Sequence, residues 1–289
     1  MSSRLAAHRD RRPARTVAHV HSDWSDDGSV SLDRIAATFT RLRCRVVLMS
    51  EHSRGFTTAR WQEYVQACRA ASTGRVLLVP GIEYGDADDV VHLPVWGEVP
   101  FFGDRVPVGK LLPQVAEAGG TAIWAHPWRR AAWRRFEPSW LPYLTAVEVW
   151  NRKYDGIAPS REALALARRE GLAAAVALDF HTRRQLFPLS LSLDLDDAAD
   201  IGDTAGGPAP AAVFAALAAG RLRPRALGLP VPLLASGPAG AALQGLERAR
   251  RAAARIARPG RSGRSGHSGR SGHSGYSGPV SSPGGPAGP

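Results

Sequence analysis

Short β-branched runs alternate with helical patterns along this 289-residue chain. The runs are TVAHVH (16–21), RVVLMSEH (45–52), RVLLVPGIEY (75–84), VVHLPVW (90–96), TAIWAHP (121–127), AVEVW (146–150) and AAAVALDFH (173–181). Helical patterns fall between several of them, at 31–43, 58–72, 107–118 and 159–170, the last closed by Gly171 as a helix stop should be. Alternation of this kind argues for a parallel sheet, open or closed into a barrel. Seven strands within residues 16–181 suit a small barrel better than a doubly wound sheet. No GxGxxG or Walker A loop follows the first strand, which argues against a nucleotide-binding fold.

The apolar fraction, 44%, supports a substantial core. Cys44 and Cys68 lie far apart and form no CxxC pair, so no disulfide framework is expected and an ordinary reducing cytoplasm is the simplest setting. No run approaches the length of a membrane-spanning helix. The first residues, MSSRLAAHRDRRPARTVAHV, are basic but lack the apolar stretch of a secretory signal.

The net charge of +11 is unevenly placed. Residues 1–15 carry five arginines against Asp10, and eight arginines with no acid follow from Arg248 onward, which leaves −1 for residues 16–247. Only Lys110 and Lys153 are lysines. Residues 1–15 therefore read as a basic flexible N-terminus and 236–258 as a basic helix containing LQGLERARRAAARIAR. Residues 259–289 read as a disordered Arg/Ser/Gly-rich tail, built on an Arg/His-Ser-Gly repeat that cannot bury a core. Such a tail offers nucleic acid only weak, salt-sensitive, sequence-independent contact. Residues 196–210 read as a loop.

Three of the nine histidines, His8, His267 and His273, lie in the termini. The other six, His19, His21, His52, His92, His126 and His181, all stand at or near ends of predicted strands. Glu83 ends another strand, and Asp179 precedes His181 by two residues. In β/α barrels functional side chains gather at the C-terminal strand ends. Strand side chains alternate, so HxH and DxH each send two groups to one side. A lone strand histidine is more often a hydrogen-bonded core or surface residue, but that reading does not account for all six. Imidazole and carboxylate together suit Zn²⁺, Mn²⁺ or Fe²⁺, and a carboxylate can bridge two ions.

These segments resemble the motifs of the PHP (polymerase and histidinol phosphatase) family. AHVHSDWSDDGSVSLDRIA resembles its first motif, HxHxxxSDG, followed by a helix. LMSEH resembles the second, usually TDH; VPGIEY resembles the strand ending in a metal-bridging glutamate; VVHLPVWG, IWAHP and ALDFH resemble the histidine strand, the third motif and the fourth, DxH. AVFAALAAGRLRPRAL resembles the helix and turn that often follow. The resemblance implies an α/β fold, a distorted (β/α)7 TIM-like barrel, with a PHP metallohydrolase domain over 16–235 and two or three divalent ions. It implies one ion at His19, His21, Glu83 and Asp179. A second would be shared through Glu83 with His92 and His126, and a third held by Asp26, His52 and His181. Asp27 competes with Asp26, and spacing from His21 favours Asp26. Glu51 stands where the family has aspartate and is expected to support the ligands rather than bind.

The activity implied is hydrolysis of a small phosphorylated metabolite or nucleotide by a metal-bridging hydroxide, with Glu83, Asp179 and His181 in the catalytic set. Arg54, Arg129, Arg130 and Arg183 follow ligand strands and are the expected phosphate-binding residues. Arg184 is placed similarly, and Glu148 and Asn151 end a strand where they can orient ligands. Trp24, Trp96, Trp124, Trp128 and Trp150 cluster near the same loops and are expected to fill the core. Two alternatives remain open: hydrolysis of a carboxylic or carbamic ester, and a metal-stabilised binding module with little turnover.

Overall fold

In the computed structural model, which describes residues 13–195 and 208–256, the first apolar run forms β1 (Ala14–Val20). Then follow α1 (Leu32–Arg41), β2 (Val46–Met49), β3 (Glu51–His52), α2 (Thr58–Ala71), β4 (Leu77–Val79) and β5 (Gly81–Gly85). After these come β6 (His92–Trp96), α3 (Val108–Glu117), β7 (Thr121–Trp124), β8 (Leu144–Asn151), α4 (Arg161–Glu170) and β9 (Ala173–Ala177). The predicted order is present, with two runs split. Pro80, which has no N–H to give a ladder, separates β4 from β5. Ser160 caps α4 by accepting the Ala163 N–H, and Gly171 closes it with φ 69°.

The chain continues with β10 (Leu189–Leu193), α5 (Pro210–Ala218), β11 (Leu222–Ala226), β12 (Leu229–Pro230), α6 (Val231–Ala235) and α7 (Gly237–Ile256). Helix α7 lies within the 236–258 segment. Of the expected basic N-terminus, residues 1–12 lie outside the described residues, and Ala14 and Arg15 begin β1. Most of the expected 196–210 loop and all of the 259–289 tail also lie outside them. The chain divides into two units, Met1–Ala249 and Arg250–Pro289. The site described below belongs to the first.

The strands keep the α/β character expected of a distorted (β/α)7 barrel but do not join into one closed sheet. They make two six-stranded sheets, ordered β12-β11-β10-β1-β2-β4 and β3-β5-β6-β7-β8-β9. The reason is chain length between strands. A parallel return needs a crossover of a dozen or more residues, but only residues 86–91 separate β5 from β6, so β6 pairs antiparallel with β5 and with β7. β10, β11 and β12 add antiparallel pairings to the other sheet. The parallel steps β1–β2–β4, β3–β5 and β7–β8–β9 keep the α/β character. The sheets meet where Phe180 N–H donates to His19 O (3.0 Å) and His21 N–H donates to Phe180 O (2.8 Å). That seam brings the chain beyond β9 against the end of β1.

Trp96, Trp124 and Trp150 are fully buried, as expected of core residues, while Trp24 and Trp128 stay half-buried. The Trp96 indole donates to Met49 O at 2.6 Å, tying β6 to the end of β2. Among the described residues no helix is long and apolar enough to cross a membrane.

Candidate metal centre

The register of β1 against β2 shifts between Ala18 and Val20, and His19, at the shift, has φ 61°. His126 (φ 26°) and Asp179 (φ 48°) also adopt positive φ, just beyond β7 and β9. Such backbone costs about 1–3 kcal/mol per residue outside glycine and persists where surrounding contacts impose it, commonly at functional sites. Here it turns three chemistry-bearing side chains toward one point.

That point is Glu83, 2% exposed. Its Oε1 lies 2.7 Å from His92 Nδ1, 3.1 Å from His19 Nε2 and 3.2 Å from His126 Nε2. Its Oε2 lies 3.0 Å from His52 Nδ1 and 3.7 Å from His21 Nε2. One buried carboxylate thus faces five imidazoles. Asp179 Oδ1 stands 3.3 Å from His181 Nδ1 and 3.9 Å from His21 Nε2, and its Oδ2 stands 3.8 Å from His126 Nε2.

Four overlapping groups have donor atoms within 4.8 Å of one another: His19, His21 and Glu83; His19, His126 and Asp179; Glu83, His92 and His126; and His21, Asp27, His52 and His181. Ligands sharing an ion at about 2.0–2.2 Å stand within roughly 4.4 Å of each other, so small side-chain adjustments would let these groups hold divalent cations. A second observation agrees. His19 Nε2 and His21 Nε2 are buried and make no hydrogen bond, although Glu83 oxygens face them. A cation between nitrogen and carboxylate satisfies both, which removes the cost of a buried orphan group.

Eight of the nine expected ligand positions join this cluster. The ninth is corrected: Asp27, not Asp26, joins His52 and His181. Asp27 Oδ1 is 3.2 Å from His52 Nε2 and its Oδ2 is 3.1 Å from His181 Nε2. Asp26 faces outward, more than half exposed, and pairs with Arg54 at 2.8 Å. The cause is two successive turns, Ser25 N–H to Ser22 O and Gly28 N–H to Ser25 O, which carry position 27 inward. Only glycine fits at 28, where a Cβ would fall 1.8 Å from Ser22 O.

Behind the cluster, Glu148 Oε1 lies 2.7 Å from His19 Nδ1, while its Oε2 accepts the His126 N–H (3.0 Å) and the Asn151 side-chain amide (2.8 Å). The same amide reaches Asp179 Oδ2 at 3.2 Å. Glu51 is enclosed by Ser22, Ser25 and Tyr64, all donating to its carboxylate, and supports the His21 loop from below.

Burial and repulsion from His52 and His181 hold the His21 pKa well down, and burial lowers that of His126, so both favour the neutral imidazole a metal requires. Burial works against ionised Glu83 and Asp179 but is outweighed by neighbouring cations. These are His92 and His19 at Glu83, and His19 and Lys153 at Asp179, which is held down at about 2.

The cluster opens on a cavity of about 130 Å³ lined in part by Arg54, Arg129, Lys153 and Tyr154. A larger apolar cavity, about 550 Å³, lies between α2, β4 and α5 and contains none of the cluster residues. Of the expected phosphate-binding arginines, only Arg129 is well inside. It is 11% exposed, paired with Asp89 at 2.9 Å, and donates from Nε to the Tyr154 hydroxyl at 3.0 Å. Arg54 sits at the rim with Asp26, and Arg130 is 60% exposed beside Asp89. Arg183 is corrected: the capped turn Thr182–Gln185 points it and Arg184 to solvent, and neither lines the cavity. Asp89, Lys153 and Tyr154 were not anticipated. For Lys153 and Tyr154 the available signal was their position just after a strand carrying Glu148 and Asn151.

No family model and no curated protein matches the sequence. Solved structures do. A two-domain protein from Bacteroides vulgatus, containing a predicted PHP-like metal-dependent phosphoesterase, superposes with a TM-score of 0.52 at 16% identity, over 73% of this chain. The chain has a PHP-like fold. The match spans 64% of the Bacteroides protein, less than two thirds of its length. PsfC from Pseudomonas syringae superposes on this chain with a TM-score of 0.56 at 14% identity, over 84% of this chain and 99% of its own. An amidohydrolase from Chromobacterium violaceum, with bound sulfate and no metal, gives a TM-score of 0.43 at 14% identity, over 59% and 88%.

Proposed function

We propose that the protein is a metal-dependent hydrolase acting on phosphate esters of small molecules. The observation that carries this reading is Glu83, one buried carboxylate in reach of five imidazoles beneath a cavity that Arg129 and Lys153 help to line. His19, His21, Glu83 and Asp179 would hold one ion; Glu83, His92 and His126 a second; Asp27, His52 and His181 a third. Imidazole and carboxylate donors of this kind take zinc, manganese or iron. Bound divalent ions supply Lewis acidity toward phosphoryl oxygens and make water a nucleophile at neutral pH.

The chain's own residues set the geometry. Glu148 fixes the His19 ring through Nδ1, leaving Nε2 directed at Glu83. Asn151 holds Asp179 in place. Arg129, held by Asp89, and Lys153 line the cavity beside the cluster. Glu83, Asp179 and His181 are the residues whose loss should abolish turnover.

The test is hydrolysis of an aryl phosphate, an aryl phosphodiester and an aryl carboxylic ester by metal-reconstituted wild type, Glu83→Ala and His126→Ala. Phosphate-ester cleavage by the wild type, with loss of both metal and rate in the variants, supports the proposal. Cleavage of the carboxylic ester alone would replace it with the other ester chemistry, and metal retention without turnover would point to a binding module.

A further inference from the structure

Lys153 is one of two lysines in a chain with 37 basic residues, and it stands inside the candidate centre. The turn that carries it is held from one side. Asn151 Oδ1 accepts the backbone N–H groups of Lys153 (3.0 Å) and Tyr154 (3.2 Å), while the amide nitrogen of the same side chain binds Glu148 and Asp179. One asparagine thus fixes a ligand and the lysine together. The ammonium lies 3.2 Å from Asp179 Oδ1 and 3.2 Å from His181 Nε2, with the side chain 29% exposed and facing the cavity.

The other cations around the cavity have acids of their own. Arg54 pairs with Asp26, and Arg129 and Arg130 pair with Asp89. Among the described residues Lys153 has one acidic partner within ion-pair distance, Asp179, which belongs to the metal-binding cluster. Once Asp179 is shared with bound divalent cations, its charge no longer balances the ammonium. A lysine held a few ångström from divalent cations then needs an anion between them.

We infer that Lys153 binds an oxygen of the substrate's phosphate group, between its ammonium and the ions, and so selects anionic phosphate esters over uncharged carboxylic ones. The inference rests on the hydrolase reading above and names a substrate-binding residue within it. A compact ammonium suits this place better than a guanidinium fork, because it approaches a single oxygen as a point charge.

The experiment is titration calorimetry with inorganic phosphate on the full-length, metal-reconstituted protein, comparing wild type, Lys153→Met and Lys153→Arg. Metal content is measured in each, and KM and kcat are determined for an aryl phosphate. Lys153→Met should weaken phosphate binding about tenfold or more, the size of one lost charge-assisted hydrogen bond. KM should rise, metal content should stay at the wild-type value, and Lys153→Arg should recover part of the affinity. Unchanged phosphate affinity in Lys153→Met would overturn the inference. So would loss of metal in that variant, which would make Lys153 a support for Asp179 instead. Wild type without phosphate-ester turnover would sink the hydrolase reading, while the phosphate titration would still decide the role of Lys153.

Discussion

Glu148 Oε1 lies 2.7 Å from His19 Nδ1, and the other oxygen of the same carboxylate accepts the His126 N–H at 3.0 Å. A carboxylate behind a ligand histidine fixes its tautomer and raises its basicity, and removing such a partner costs metal affinity about 10–100-fold. Glu148→Gln keeps the size and removes the charge. It should weaken metal binding by about that factor while the fold survives, as read by a competing chelator alongside circular dichroism. Wild-type affinity in the variant would show that Glu148 is only a structural residue.

Asp27→Asn and Asp26→Asn should differ sharply. Asp27 bridges His52 and His181, so its loss should reduce bound metal by about one ion per chain. Asp26 forms an exposed pair with Arg54, worth about 1 kcal/mol or less, and its replacement should leave metal content unchanged. Elemental analysis of the two variants decides, and equal losses would return the ligand role to an open choice between them.

Proton release should accompany metal binding. In the metal-free protein burial lowers the His52 pKa, but hydrogen bonds to Asp27 and Glu83 outweigh it and push the value up to about 10. A raised pKa means that the charged form stabilises the metal-free fold fully below the ordinary value of 6.5, and that this contribution fades as pH rises through about 10. A metal must displace that proton, so affinity should strengthen as pH climbs toward 10. Zinc titrations at pH 7.5 in buffers of different ionisation heat should give different apparent enthalpies. Identical enthalpies would mean that His52 is already neutral.

Gly81 leaves room for the strand that presents Glu83. A Cβ there would fall 2.4 Å from Met49 O and 2.4 Å from the Trp96 indole, the two groups joined by a hydrogen bond. Gly81→Ala should therefore cost about 1–3 kcal/mol in urea unfolding, through overpacking and loss of that bond. A variant as stable as wild type would show that the sheet relaxes freely.

The sequence carried much of this site because its signals are local. HxH, DxH and the strand carrying Glu83 stand out as local patterns, and their residues all meet, although positive φ at His19 and Asp179 rather than strand alternation aims those two side chains. What failed depends on contacts that spacing does not reveal. Counting from His21 favours Asp26, but two consecutive turns bring Asp27 inward. Arg183 follows a ligand strand, yet the Thr182 cap turns it away. Asp89 becomes visible only when the 86–91 turn converges on the cluster, whereas Lys153 had the weak signal of following a strand end. Strand–helix alternation suggested parallel neighbours, and the short link before β6 reverses that one strand instead. Strand β10, with its alternating LSLSL, was legible in principle, since alternation is the mark of a paired strand.

The most direct test of the central claim is anomalous X-ray diffraction from crystals of the reconstituted protein, collected at the absorption edge of the added metal. Two or three peaks are expected, enclosed by His19, His21, Asp27, His52, Glu83, His92, His126, Asp179 and His181, with Glu83 between two of them. Absence of any peak among these residues after reconstitution, or a single peak elsewhere on the chain, would contradict it.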